Sequence, residues 1–153
     1  MTNLCYKVLH ALQGRTLVTA ESCTGGGIGA ALTAVPGSSS VYKGGIISYT
    51  NQVKHALLGV DNTLLERDGA VSASVAQAMA VGARNVLSAD VAVSVTGLAG
   101  PGGDEYGNPV GTVFIGYADE KQTVVKHCIF AGDRETVRNQ TIEAALKLVL
   151  QNQ

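Results

Sequence analysis

The chain has 153 residues, 46% of them hydrophobic and 15% charged, with a formal net charge of -1 and an isoelectric point near 6.3. That length suits a single domain whose core hides roughly 70% of the surface exposed by the unfolded chain, and the scattered Lys and Arg residues leave no basic footprint for nucleic acid. The charged share falls below the usual value of about 25%, so part of the surface is expected to be hidden by self-association into a homodimer or higher homo-oligomer.

Leu4, Val8, Leu9 and Leu12 recur at helical spacing and predict an amphipathic first helix that Gly14 stops. Thr16 to Ala20 is a short β-branched run and predicts a strand. The glycines of CTGGGIGAALTAV then give way to a helix of small residues, so the unit reads strand, turn, helix. PGSSS is a loop by composition, and GGIISYT predicts a second strand. Asn51 is the expected N-cap of a helix through NQVKHALLGV. After a turn near DNT and a break at DGA, SASVAQAMAVGARNVLSA predicts a longer, Ala-rich helix suited to close packing. DVAVSVTG reads as a buried strand, and LAGPGGDEYGNP has the Gly and Pro density of a loop. VGTVFIGYA and TVVKHCIFA predict an antiparallel pair around DEKQ, and GDRETVRNQTIEAALKLVLQ closes the chain as a helix with Asp133 as N-cap. The expected fold is α/β: a single layered domain over residues 1–153, with a mixed, mostly parallel sheet, a C-terminal β-hairpin and flanking helices.

Several classes of function fit badly. Cys5, Cys23 and Cys128 are odd in number and widely spaced, unlike a disulfide framework or zinc site, which points to a reducing cytoplasm. The first residues, MTNLCYKVLHALQGR, carry no export pattern. The longest uncharged stretch, Ser22 to Tyr42, is broken by glycines, serines, threonines and Pro36, so a soluble protein without a membrane partner is expected. Asp104 and Glu105, with Asp90 or Asp119 elsewhere, form no metal pattern. The glycine strings match neither G-x-x-x-x-G-K-[ST] nor a G-x-G-x-x-G with a well-placed acid beyond it.

The segment with chemical interest is Glu21-Ser22-Cys23-Thr24-Gly25-Gly26-Gly27, at the end of the first strand. A helix N-terminus there offers unpaired N–H groups and partial positive charge for a phosphate or an acyl-transfer oxyanion. Spacing alone favours a plainer reading, in which Ser22 or Thr24 caps the helix and the glycines make a tight turn. A serine nucleophile also needs a base. His10, His55 and His127 each lack an orienting acid nearby in sequence, whereas Lys54, in the helix after the second strand, could serve if burial lowered its pKa. Tyr49, at the end of that strand, could face the same cleft. The ordinary alternatives are an exposed helix lysine and a half-buried aromatic. Cys23 is expected to point away from the cleft when Ser22 points into it.

The string TAESCTGGGIGAALTAVPGSSSVYKGGIISYTNQVKHALLGV resembles the C-terminal domain of CinA-type proteins, which couple AESCTGG to a downstream SY-N-x-x-K segment. The resemblance continues through DGAVSASVAQAMAVGAR, SVTGLAGPGG, NPVGTVFIG and GDRETVRNQ, nearly the whole chain. It implies a nicotinamide mononucleotide deamidase that needs no metal and no cofactor, with Ser22, Tyr49 and Lys54 as the catalytic set. Larger CinA proteins carry this domain after a molybdopterin-binding-like domain, and this sequence looks like the stand-alone form. For the substrate's phosphate two loops compete: the CTGGG turn, with Thr24, Gly25 and Gly26, and the TGLAGPGG loop, with Thr96, Gly97, Gly100 and Gly102. Arg134 and Arg138, one helical turn apart, could add charge-assisted bonds. The rival reading is a weak or inactive paralogue that binds a nucleotide or acts as a competence-related interaction module.

Overall fold

The structure is a computed structural model describing residues 1–153. Helix α1 (Thr2–Ala11) buries Cys5, Val8 and Leu9, the face that the leucine and valine spacing marks out. Strand β1 (Leu17–Glu21) is buried along its whole length. A turn leads to α2 (Gly27–Thr33) and a single 3₁₀ turn at Ser38–Ser40, within the segment expected to be loop. Strand β2 (Tyr42–Ile47) follows, then α3 (Asn51–Leu58), α4 (Asn62–Asp68) and α5 (Ala73–Val86). Strands β3 (Val91–Gly97), β4 (Thr112–Ala118) and β5 (Thr123–Ile129) precede the final helix α6 (Arg134–Gln151).

The five strands form one sheet in the order β2-β1-β3-β4-β5. β1 pairs in parallel with β2 and β3, while β3/β4 and β4/β5 are antiparallel, so only β4 runs against the rest. Period-two alternation sends successive β1 side chains to opposite faces. Leu17 joins the larger core with α1, α2 and α6, and Val18 and Ala20 join the smaller core with Leu58 of α3, Leu65 of α4 and Val75, Met79 and Ala83 of α5. Helices therefore cover both faces of the sheet. Four of the ten residues of the second core are alanine, and α5 lies close to β4: a Cβ on Gly116 would collide with the Ala76 carbonyl. The chain leaves β1 towards β2 through α2 on one face and returns to β3 through α3, α4 and α5 on the other. β1 is thus the topological switch point, beyond whose carboxyl end ligands bind in open α/β sheets.

The fold corrects three local expectations. Residues 62–68, where only a turn near DNT was expected before the DGA break, form α4: Asp61 accepts from Thr63 N at 2.8 Å and caps it, and Leu65 anchors it in the core. Thr50, not Asn51, caps α3, its side chain accepting from Val53 N. β2 also ends at Ile47, which leaves Tyr49 in the connection beyond the strand. Asp133 caps α6 as expected, accepting from Thr136 N at 2.9 Å. No helix is long and apolar enough to cross a membrane.

Candidate active site

At the carboxyl ends of β1 and β3 lies a cavity of about 300 Å³, floored by Ser22 and Lys54 and walled by residues 96–100, Gly102 and Arg134. Ser22 is the first residue past β1. Its N–H donates to Val95 O at 3.1 Å and its carbonyl accepts from Gly25 N at 3.1 Å, so both sides of its backbone are fixed. Strand alternation sends Glu21 to the α2 face and Ser22 to the α3 face, where Lys54 sits in the first turn of its helix. Lys54 Nζ lies 3.0 Å from Ser22 Oγ and donates to the Tyr49 carbonyl at 3.3 Å.

Lys54 is 1% exposed and takes part in none of the three ion pairs of the chain. A buried ammonium with no carboxylate beside it loses hydration without Coulombic return. Burial accordingly pulls its pKa from 10.5 down to about 8, which puts the neutral amine within reach at ordinary pH. Cys23 packs into the larger core, and burial pushes its thiol up to about 11. Ser22, whose hydroxyl meets the Lys54 amine while the Cys23 thiol has no base beside it, is the reactive candidate of the pair.

Tyr49 lines the cavity beside Lys54, but it meets the lysine through its main chain. The residue is 58% exposed, and its hydroxyl accepts from Arg134 Nη2 at 3.1 Å, while its main-chain carbonyl touches Lys54 and Ser22 Oγ. The phenol therefore does not polarise the lysine in this structure. Arg134 also donates to Gly100 O at 2.6 Å, so it ties the Tyr49 side of the cavity mouth to the glycine loop opposite.

Arg138, one turn further along α6, does not line the cavity; it donates through Nε to Cys23 O at 3.0 Å and through Nη2 to Thr24 O at 3.1 Å. Thr24 is fully buried with its hydroxyl on Glu21, and Gly25 and Gly26 also lie outside the cavity. The α2 N-terminus expected to hold an anion is occupied from within: Glu21 accepts from Ile28 N at 2.8 Å and from Gly29 N at 3.0 Å. Thr96, Gly97, Gly100 and Gly102 do line the cavity, although the Thr96 hydroxyl is spent on Ala70 O.

Sequence reasoning missed Asn51, Ala70, Val71, Leu98 and Ala99 as lining residues. Asn51 could have been found. It stands three residues before Lys54, which is one helical face, and Thr50 relieves it of capping. Ala70 and Val71 arrive from the α4–α5 connection by tertiary packing, which no local pattern signals.

The chain matches the CinA C-terminal domain model over residues 2–153. It belongs to that family. Among relatives, a CinA-like protein of Cyanothece sp. is 53% identical over 128 residues, 84% of this chain and 30% of the relative. One of Geobacter sulfurreducens is 49% identical over 134 residues, 88% of this chain and 32% of the relative. The chain thus spans about a third of the length of these curated relatives. A solved CinA superfamily protein of Escherichia coli superposes with a TM-score of 0.97 at 39% identity, covering 99% of this chain and 90% of that one. A competence damage-inducible protein of Klebsiella pneumoniae gives 0.95 at 38% identity, covering 98% and 94%. The CinA C-terminal domain therefore accounts for the whole sheet and all the helices of this chain.

Proposed function

We propose that this CinA C-terminal domain is an amidohydrolase that deamidates nicotinamide mononucleotide to nicotinic acid mononucleotide and ammonia in pyridine nucleotide recycling. The observation that carries the reading is the buried, unpaired Lys54 amine 3.0 Å from the Ser22 hydroxyl at the floor of a cavity. Neutral Lys54 takes the Ser22 proton as Oγ attacks the carboxamide carbon. The tetrahedral oxyanion needs backbone donors. The Cys23 N–H is suited to this, because it follows the nucleophile, Cys23 lines the cavity, and it bonds to no other residue. Lys54 then returns the proton to the departing nitrogen, and ammonia leaves an acyl-serine. Water, deprotonated by the same amine, cleaves that ester, yielding the carboxylate and restoring the Ser22 hydroxyl.

For the phosphate, the two loops are no longer equal. The CTGGG turn has its helix donors filled by Glu21, whereas the N–H groups of Ala99, Gly100 and Gly102 bond to nothing in the chain and border the cavity beside Arg134. We assign the phosphate to that second loop and to Arg134. The low charge content supports assembly into a homo-oligomer, and three free, widely spaced cysteines support a reducing cytoplasm as its place. The test is ammonia release from nicotinamide mononucleotide by wild type and by Ser22→Ala, without added metal. Loss of release in the variant is expected. Equal rates would remove Ser22 as nucleophile, and an inert wild type that still binds the nucleotide would favour a binding module.

A further inference from the structure

Glu21, the residue before the candidate nucleophile, is 2% exposed, yet no lysine, arginine or histidine pairs with it. Its carboxylate is satisfied entirely from the segment that follows: Oε1 accepts from Thr24 Oγ1 at 2.6 Å and from Ile28 N at 2.8 Å, and Oε2 from Gly29 N at 3.0 Å. Its backbone is held as firmly, registered against Ile47 and Val95 and accepting from Ser48 N at 2.8 Å. One side chain therefore joins the end of β1 to the start of α2 across residues 22–27. Those residues need such a tie. Gly25 and Gly26 adopt φ of +58° and +100°, and glycine backbone of that kind is free to move unless anchored. Space is reserved for the arrangement, since a Cβ on Gly29 would come within 2.7 Å of Tyr42 Oη and 3.6 Å of Glu21 Oε2. The partial positive charge of the helix terminus offsets the buried carboxylate.

We propose that Glu21 is a positioning residue, which holds the Ser22 turn so that Oγ stays within hydrogen-bonding distance of Lys54. It does not touch the cavity and contacts no substrate. The inference rests on the proposed role of Ser22 as nucleophile. Glutamine at this position keeps the shape but presents an N–H₂ to the donor N–H of Gly29 or Ile28, so the turn must shift to separate two donors. A misplacement of about 1 Å costs on the order of a hundredfold in rate. Substrate binding, which depends on other walls of the cavity, is spared.

The test compares wild type, Glu21→Gln and Thr24→Val; the last removes one of the three bonds while leaving the carboxylate in place. Each is assayed for ammonia release from nicotinamide mononucleotide and for labelling at Ser22 by a fluorophosphonate, which reads nucleophilic attack without an amide substrate. Expected for Glu21→Gln is a kcat lower by about ten- to a hundredfold with KM within about twofold. The labelling rate falls in parallel, and the ascending pH limb set by Lys54 stays where it was. Thr24→Val should show a smaller loss of the same kind. If Glu21→Gln fails to fold, Thr24→Val decides alone. A folded variant with kcat and labelling rate within twofold of wild type overturns the inference, the mark of a carboxylate that only stabilises the helix. A wild type that labels at Ser22 but releases no ammonia overturns the substrate reading, and the labelling rates still decide the role of Glu21. A wild type that does neither overturns both.

Discussion

The residue on which most depends is a lysine placed where stability would not put one. Lys54 has a folded-state pKa of about 8 against an ordinary 10.5, with burial as the cause. Between those values the unfolded chain holds a proton that the folded chain has released, so stability rises with pH through that window, and the penalty is fully present below about 8. The shift corresponds to roughly 3 kcal/mol at neutral pH. Lys54→Met should therefore abolish ammonia release yet stabilise the fold by about 1–3 kcal/mol at pH 7 in denaturant titrations, the gain shrinking above pH 9. A destabilised Lys54→Met would mean that the amine contributes to folding. The same shift predicts that kcat/KM rises about tenfold per pH unit up to about pH 8 and then levels, because only the neutral amine accepts the Ser22 proton. A rate independent of pH between 6 and 9 would exclude Lys54 as base. The Ser22, Tyr49 and Lys54 triplet came from the resemblance, because spacing alone allowed an exposed lysine and a capping serine. What no motif carried is which atom of Tyr49 meets the lysine, since that depends on where β2 ends.

At the scale of elements, α6 acts on the cavity through two arginines that sequence treats as equivalent. Arg134, at its first position, bridges Tyr49 Oη and Gly100 O at the mouth, whereas Arg138 holds the carbonyls of Cys23 and Thr24 from behind. Their losses should separate. Arg134→Ala should raise KM for nicotinamide mononucleotide by roughly ten- to a hundredfold, the scale of one charge-assisted contact. The phosphate-free riboside should be little affected. Arg138→Ala should instead lower kcat for both substrates with KM nearly unchanged, because it loosens the nucleophile's turn. Steady-state kinetics on the two substrates check both, and a phosphate-dependent KM effect at Arg138 would restore its reading as a ligand. Helices α1, α5 and α6 and the β4–β5 hairpin were legible because their patterns are long or locally closed. α4 was not, since its seven residues offer too short a period and its anchor, Leu65, signals only in three dimensions.

Across the whole molecule, the parallel pairings β1/β2 and β1/β3 join residues far apart in sequence, which is why composition gave layers but not the strand order. That order has a mechanical consequence. β1 is buried at all five positions and hydrogen-bonded on both sides, so Ser22 extends from a fully enclosed strand. The opposing wall is different in kind: residues 98–110 are a loop, exposed at most positions from Pro101 to Pro109. The proposed nucleophile then rides on an element expected to open late, and the wall proposed for the phosphate belongs to a loop expected to open early. Native-state hydrogen exchange should find the amides of β1 and β3 released only with global unfolding. The amides of Ala99, Gly100 and Gly102 should exchange by local opening, and nicotinamide mononucleotide should slow them without slowing β1 further, beyond the general stabilisation that binding confers. If ligand protection fell instead on residues 23–26, the phosphate assignment would pass back to the turn. Amides of β1 exchanging as fast as those of the edge strand β5 would deny Ser22 its rigid base.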